Sequence, residues 1–396
     1  MSVLYVKEQG ALIQKRSERL LITRNNQTLL EIPIYNIDSV AVIGNVQITT
    51  QALQALMKNG VDVRYFAWSG RYLGTTSAAS SKNIFLRLAQ YQLYDDMERR
   101  MDLARRIVAN KIGNQMEMIR RHRWAAGEEE HHLARQELEK AAARTAEVSD
   151  SNALMGVEGH ASAVYFRIYG LMFRDDDAGE DSAGTAGREG NCARESNDQK
   201  ETGRNIASAT QPWYAFHGRS RRPPRDPVNA IISLGYTFLT NEVTTALESE
   251  SFEMYMGFLH GIRYGRKSLP LDIVEEFRQP VVDRMTLRLF NRHMLQEDDF
   301  LNEDGAVSLT EEGFRKFCRT FERWMSDPVY TGESVCYRSL IRKQADQLKH
   351  VVQHGKEYEP YHFGGEQNSE SESADASPEV STLPEQSSDS ADSEAK

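Results

Sequence analysis

Over the first 85 residues, short runs dense in Val, Ile and Leu follow one another. They are "SVLYV", "ALIQK", "RLLITR", "TLLEIPI" and "SVAVIG", and after an interruption "VDVRYFAW" and "RYLGTT". Runs of four to eight such residues bounded by polar clusters predict strands. "RNNQ" at 24–27 supplies the turn that a hairpin between two of them needs. "TTQALQALMKNG" breaks the series and predicts a short helix, with Thr50 as cap, Leu53, Leu56 and Met57 on one face and Gly60 at its end.

From Ile84 the period changes. No proline occurs for about forty residues, and Leu86, Ala89, Leu93, Met97, Met101, Ala104, Val108 and Ile112 keep three- or four-residue spacing, which predicts one or two long helices. "EEEHHLARQELEKAAARTA" predicts a more polar helix, and "SNALMGVEGHASAVYFRIYGLMF" an apolar one that opens on a Ser/Asn cap signal. Asp226 followed by Pro227 is a strong helix start, and Ser308 to Glu311 has the form of a capping box. The expected fold class is α+β: an N-terminal β-rich domain (1–85), then an all-helical domain (86–363). Residues 174–207 and 364–396 have too few large apolar side chains to offset their ordering entropy and are expected to be disordered.

Charge changes the picture only after those two stretches are set aside. The chain carries a net −10, but residues 175–201 account for −6 and residues 364–396 for −8, which leaves the remainder at +4. A mildly basic body is compatible with nucleic acid. No run of apolar residues is long enough to span a membrane, and "MSVLYVKEQG" lacks the form of a signal peptide. Cys192, Cys318 and Cys336 are odd in number and widely spaced, which suggests a reducing, cytoplasmic compartment and no disulfide framework.

Three residues far apart suit one site. Glu158 lies among apolar helix positions, where a carboxylate needs a cation or donor. His260 follows the apolar run "MYMGFL", and Glu275 comes three residues after Asp272, within one helical turn. Two carboxylates and an imidazole suit a hard divalent cation, Mg²⁺ or Mn²⁺. Arg219, Arg221, Arg222 and Arg225 form a basic strip, and Arg263, Arg266 and Lys267 a second cluster. Taken alone, each has a blander reading: a helix-surface glutamate, a core histidine, acids complementing a helix start, solvated arginines. Glu276 reads as solvated or salt-bridged. GxGxxG, Walker A, GxSxG and HExxH motifs are absent, so nothing points to a covalent enzyme intermediate.

Four segments, "LMGVEGHASAVYF", "RRPPRDPVNAIISLGYTFL", "GFLHGIRYGRKSLPLDIVEEFRQPVVDR" and "ARRIVANKIGNQ", together resemble the CRISPR-associated integrase–endonuclease family of spacer acquisition, the first of the Cas proteins. The resemblance runs over roughly residues 1–350 outside the acidic insertion. It implies that Glu158, His260 and Glu275 are metal ligands and that Asp272 is a further acid of the catalytic site. It also implies that Asn229 and the nearby arginines handle the DNA backbone. The resemblance makes residues 1–85 the dimerisation domain and 86–363 the catalytic domain of a prokaryotic protein, and the implied partners are double-stranded and branched DNA, a second copy of the chain, and a small second Cas adaptation protein. The implied chemistry is metal-dependent phosphodiester hydrolysis and strand transfer. A non-catalytic DNA-binding scaffold of a defence or repair complex, with a structural ion pair in place of the metal, is the alternative. A phosphoesterase for small substrates is a third reading, which the scattered arginines disfavour.

Overall fold

The structure, a computed structural model, describes residues 3–68, 72–78, 83–122, 128–173, 212–329 and 335–363. The segments expected to be disordered, 174–207 and 364–396, lie outside the described residues.

The N-terminal region holds two four-stranded mixed sheets. In the first, β1 (Val3–Val6), β5 (Ser39–Ile43) and β7 (Asp62–Phe66) run parallel, and β8 (Tyr72–Thr76) pairs antiparallel to β7. Every residue of β5 is buried, as expected for a central parallel strand covered on both faces. The second sheet has the order β4 (Gln27–Pro33), β3 (Arg19–Arg24), β2 (Leu12–Arg16), β6 (Gln47–Ile48). Asn25 and Asn26 both take positive φ, the backbone a two-residue hairpin turn between β3 and β4 requires. Helix α1 (Thr50–Lys58) is capped by Thr49, one residue earlier than expected, whose hydroxyl accepts from the Ala52 amide. Its buried face is Ala52, Ala55 and Leu56. These pack with Ile13, Leu20, Ile22, Val40 and Val63 into one core.

The opposite face of the first sheet belongs to a second, larger core. Ala41, Ile43 and Phe66 join the helical interior, and the Phe66 ring stacks on Phe238 at 5.2 Å. Beside them, buried Glu242 pairs with Arg64 at 3.2 Å and with Arg338 at 3.0 Å.

The helical region runs α2 (Ile84–Asp95), α3 (Met97–Arg121), α4 (Glu128–Thr145), α5 (Ser151–Tyr169), α6 (Pro227–Glu250), α7 (Ser268–Val274), α8 (Arg284–Asn291), α9 (Glu311–Ser326) and α10 (Tyr337–His354). Asp96 ends α2 and caps α3, which splits the long periodic stretch in two. The cap of α5 is Asp150, and α6 starts as expected, with the Asp226 carboxylate accepting from the Asn229 amide and Pro227 in the first turn. Two expectations need correction. The region is helix-rich rather than all-helical: β9 (Phe300–Glu303) and β10 (Ala306–Leu309) form a hairpin around Asp304 and Gly305, both at positive φ. Ser308 therefore lies in a strand, and Thr310 caps α9 by accepting from the Gly313 amide. Helix α3 stands out because Lys111, Asn114, Gln115 and Glu117 are buried on it. Interior polar groups need partners, and those partners define the site below.

Candidate active site

Four segments converge where α3 crosses the helical region. Helix α5 brings Glu158 and, one turn on, Ser162, whose hydroxyl donates to Glu158 Oε1 at 2.9 Å. The residue that ends α7 is Glu275, almost fully buried. Lys111 of α3 inserts its ammonium between the two acids: it contacts Glu158 Oε1 and lies 2.5 Å from Glu275 Oε2. Arg278 approaches the same Glu275 oxygen at 3.0 Å. Burial pushes the Glu275 carboxyl up, but Arg278 and then Lys111 outweigh it and hold the group down at about 2.

His260 lies on the loop that follows α6 and is oriented from behind. Asp272, fully buried on α7, accepts from the backbone amides of Leu259 and His260 at 3.0 Å each and from that of Phe258 at 2.5 Å. Its Oδ1 also meets His260 Nδ1 at 2.8 Å. That contact makes Nδ1 the donor, so in the neutral ring Nε2 carries the lone pair. Burial disfavours the charged ring, yet the hydrogen bond and charge of Asp272, with Glu275 beyond, raise its pKa above the usual value. A Cβ on Gly257 would stand 2.7 Å from Asp272 Oδ2 and 2.8 Å from Ser268. Gly257→Ala should therefore push the 257–260 loop off Asp272 and lower activity more than tenfold, about 1.4 kcal/mol in barrier. Kinetics of the purified variant against wild type, with folding checked by circular dichroism, measure this.

The structure thus redistributes the expected roles. Glu158 and Glu275 share one cation. His260 and Glu275 are close enough to shift each other's ionisation. Asp272 does not line the site: its oxygens are taken up by three amides and the imidazole, so it is a positioning residue. Among the described residues no group of three His, Cys, Asp or Glu side chains is arranged as a metal cluster. The point between Glu158 and Glu275 holds the Lys111 ammonium instead. The donor set still fits a divalent ion. Glu275 Oε2 is buried with no aligned hydrogen bond despite its two nearby cations, and two carboxylates with an imidazole are the ligand types that suit such an ion.

The basic residues divide in the same way. Asn229, expected at the DNA backbone, is fully buried. Its side chain donates to Gly218 O and Asp226 Oδ2 and accepts from Arg219 and the Ser220 amide, which pins the arginine loop to the start of α6. Arg219 is turned inward, bonded to Ser233 and lying over the Tyr236 ring at 5.5 Å. Arg221, Arg222 and Arg225 are exposed beside it. In the second cluster Arg266 binds the His260 carbonyl, Lys267 pairs with Glu248 at 2.9 Å, and Arg263 is exposed.

Sequence reasoning missed several members of the site. Arg278 packs on the Tyr236 ring at 4.4 Å. The Tyr236 hydroxyl donates to Asp283 at 2.6 Å and Tyr165 donates to it at 3.0 Å. Burial raises the Asp283 carboxyl to about 6 against those hydrogen bonds. Glu276 is neither solvated nor salt-bridged. It is fully buried, accepting from Tyr358 at 2.5 Å and from the Tyr361 amide at 2.8 Å. The available signal for Lys111 was a polar trio, with Asn114 and Gln115, interrupting the apolar stripe of a long helix.

Comparison with known proteins adds a lineage to this geometry. A family model described as "CRISPR associated protein Cas1" matches residues 4–197 and 203–323. The chain is 31% identical over 367 residues to a CRISPR-associated endonuclease Cas1 of Thermus thermophilus, which spans 91% of this chain and 97% of the relative. Among solved structures, a CAS1 protein from Thermotoga maritima superposes with a TM-score of 0.70 at 24% identity, covering 89% of this chain and 97% of that one. A casposase bound to its integration product superposes with a TM-score of 0.72 at 19% identity, covering 93% and 96%. Both structural likenesses concern the fold.

Proposed function

Since the chain belongs to the Cas1 family of CRISPR-associated integrases and nucleases of spacer acquisition, we propose that it is a metal-dependent DNA endonuclease and integrase that inserts spacer DNA into a CRISPR array by transesterification. The observation that carries this reading is the acid pair Glu158 and Glu275, from separate helical elements, sharing one buried cation beside an imidazole held by Asp272. A non-catalytic scaffold would account for the ion pair of Lys111 with the two acids, but it has no use for the imidazole that Asp272 orients, and metal-dependent cleavage of branched DNA discriminates the two.

Glu158, His260 Nε2 and Glu275 would hold Mg²⁺ or Mn²⁺. When bound, such an ion lowers the pKa of an attacking hydroxyl and offsets charge on the phosphate. The protein supplies the rest. The Asp272 hydrogen bond fixes the imidazole's tautomer and direction. Arg278, held by Glu275 and the Tyr236 ring, keeps positive charge at the floor of the site. Exposed Arg221, Arg222, Arg225 and Arg263 provide cations for the DNA backbone, which give register rather than sequence. A 3′-hydroxyl as nucleophile gives strand transfer, and water gives cleavage.

Double-stranded and branched DNA, a second copy of the chain and the small second Cas adaptation protein complete the proposal. In the homodimer the first 85 residues supply the interface, because β1 and β4 are sheet edges and edges are commonly paired or covered. Among the described residues no helix is long and apolar enough to cross a membrane. The decisive test is metal removal. Protein stripped with chelator should neither cleave branched DNA nor join a 3′-hydroxyl duplex to a repeat-bearing plasmid, and added Mn²⁺ or Mg²⁺ should restore both. Full activity in excess chelator would refute the reading.

A further inference from the structure

The cation between the two acids belongs to the chain itself, and this has consequences for how the site is loaded. The Lys111 side chain is 5% exposed and its ammonium bridges an α5 acid and the acid that ends α7. Glu275 is 4% exposed, and Arg278 sits on its other side. The two carboxylates balance Lys111 and Arg278, so this group is neutral as it stands. Placing a divalent ion between the same carboxylates with Lys111 still there would bring three cations onto two acids at low dielectric, which is strongly unfavourable. The ammonium already occupies Glu158 Oε1 and Glu275 Oε2, and an ion held by the same two acids would compete with it for them.

We propose that Lys111 is a built-in counter-cation: it holds the acid pair together in the metal-free protein and is displaced from between Glu158 and Glu275 when a divalent ion enters. Lys111 is thereby a positioning residue that sets the threshold for metal loading. The inference rests on the reading of Glu158, His260 and Glu275 as metal ligands. A site that is competent only when the ammonium has left binds its ion with an apparent affinity reduced by that fraction. Without Lys111 the acids repel each other, and the ion becomes their principal compensation.

The experiment is a Mn²⁺ titration of the full chain without DNA, followed by electron paramagnetic resonance of the free ion, on wild type, Lys111→Gln and Glu158→Ala. The glutamine keeps a hydrogen-bond donor and removes the charge. Lys111→Gln should bind Mn²⁺ about tenfold more tightly than wild type, and its melting temperature should rise more on Mn²⁺ addition. Equal or weaker binding by Lys111→Gln, with Glu158→Ala having lost the site, overturns the role given to Lys111. Wild type binding no better than Glu158→Ala overturns the metal-site reading itself. Should Lys111→Gln fail to fold, wild type decides. Acylation of Lys111 by an amine reagent, read by mass spectrometry, should increase when saturating Mn²⁺ is added, because a displaced side chain is no longer enclosed. Unchanged protection with Mn²⁺ bound overturns the proposal.

Discussion

Glu158→Ala should lower both cleavage and strand transfer by about a thousandfold or more, roughly 4 kcal/mol in barrier, while leaving the fold intact. Glu158 is the accessible member of the acid pair, with a quarter of its side chain exposed, so its loss removes a ligand and little packing. Glu275→Ala should be equally inactive but also less stable. It strips the shared acid from two buried cations, Lys111 and Arg278, and an uncompensated buried charge costs roughly 3–5 kcal/mol. Single-turnover assays with Mn²⁺, set beside urea denaturation of each variant, separate the two effects. A Glu158→Ala enzyme within tenfold of wild type would remove the acid pair from the chemistry.

The second large effect concerns Glu276, the immediate neighbour of a proposed ligand. Burial raises its carboxyl to about 8 from an ordinary 4.5, with the hydrogen bonds from Tyr358 and the Tyr361 amide only partly opposing. The folded protein therefore prefers this acid neutral. Its folded pKa lies above the unfolded one, so its contribution to stability is fully present below pH 4.5. It declines as pH rises and is gone above about pH 8, a span on the order of 5 kcal/mol. Glu276→Gln imitates the neutral form: the amide carbonyl accepts from Tyr361 and the amide nitrogen donates to the Tyr358 oxygen. Its unfolding free energy should match wild type near pH 4.5 and exceed it by several kcal/mol near pH 8.5. Urea melts of the two proteins across that range measure the difference, and parallel pH profiles would show that Glu276 ionises freely in the folded state.

Glu276 also shows where sequence stops being informative. Two adjacent glutamates look alike on paper. One meets Lys111 and Arg278, and the other meets Tyr358 and Tyr361 from the segment after α10, and only long-range packing distinguishes them. Local signals fared better. The paired asparagines gave the β3–β4 turn, and Asp226 with Pro227 gave the start of α6, because caps and turns depend on neighbours in the chain. Asp304–Gly305 carried the same kind of signal for the β9–β10 hairpin, but the helical patterns on either side overshadowed it. At the site, Glu158, His260 and Glu275 could be nominated by residue type. Sequence places Asp272 as a further acid of the site and Asn229 at the DNA backbone, but it does not carry their burial: both are fully enclosed and spend their polar atoms on backbone and side-chain partners.

Helix α6 has a mechanical meaning beyond its place in the core. It is 24 residues without interruption, about 36 Å at 1.5 Å per residue. From its middle onward it is bolted to the first sheet, by Phe238 on Phe66 and Glu242 on Arg64. One turn or less before that, Tyr236 supports Arg278 beside Glu275, and at its start Asn229, held by Asp226, grips the arginine loop. A straight α-helix transmits displacement along its axis rather than absorbing it. One rigid element therefore links the first sheet to Arg278, the partner of Glu275, and to the loop of exposed arginines, so a displacement of that sheet along the helix axis would be felt at both places.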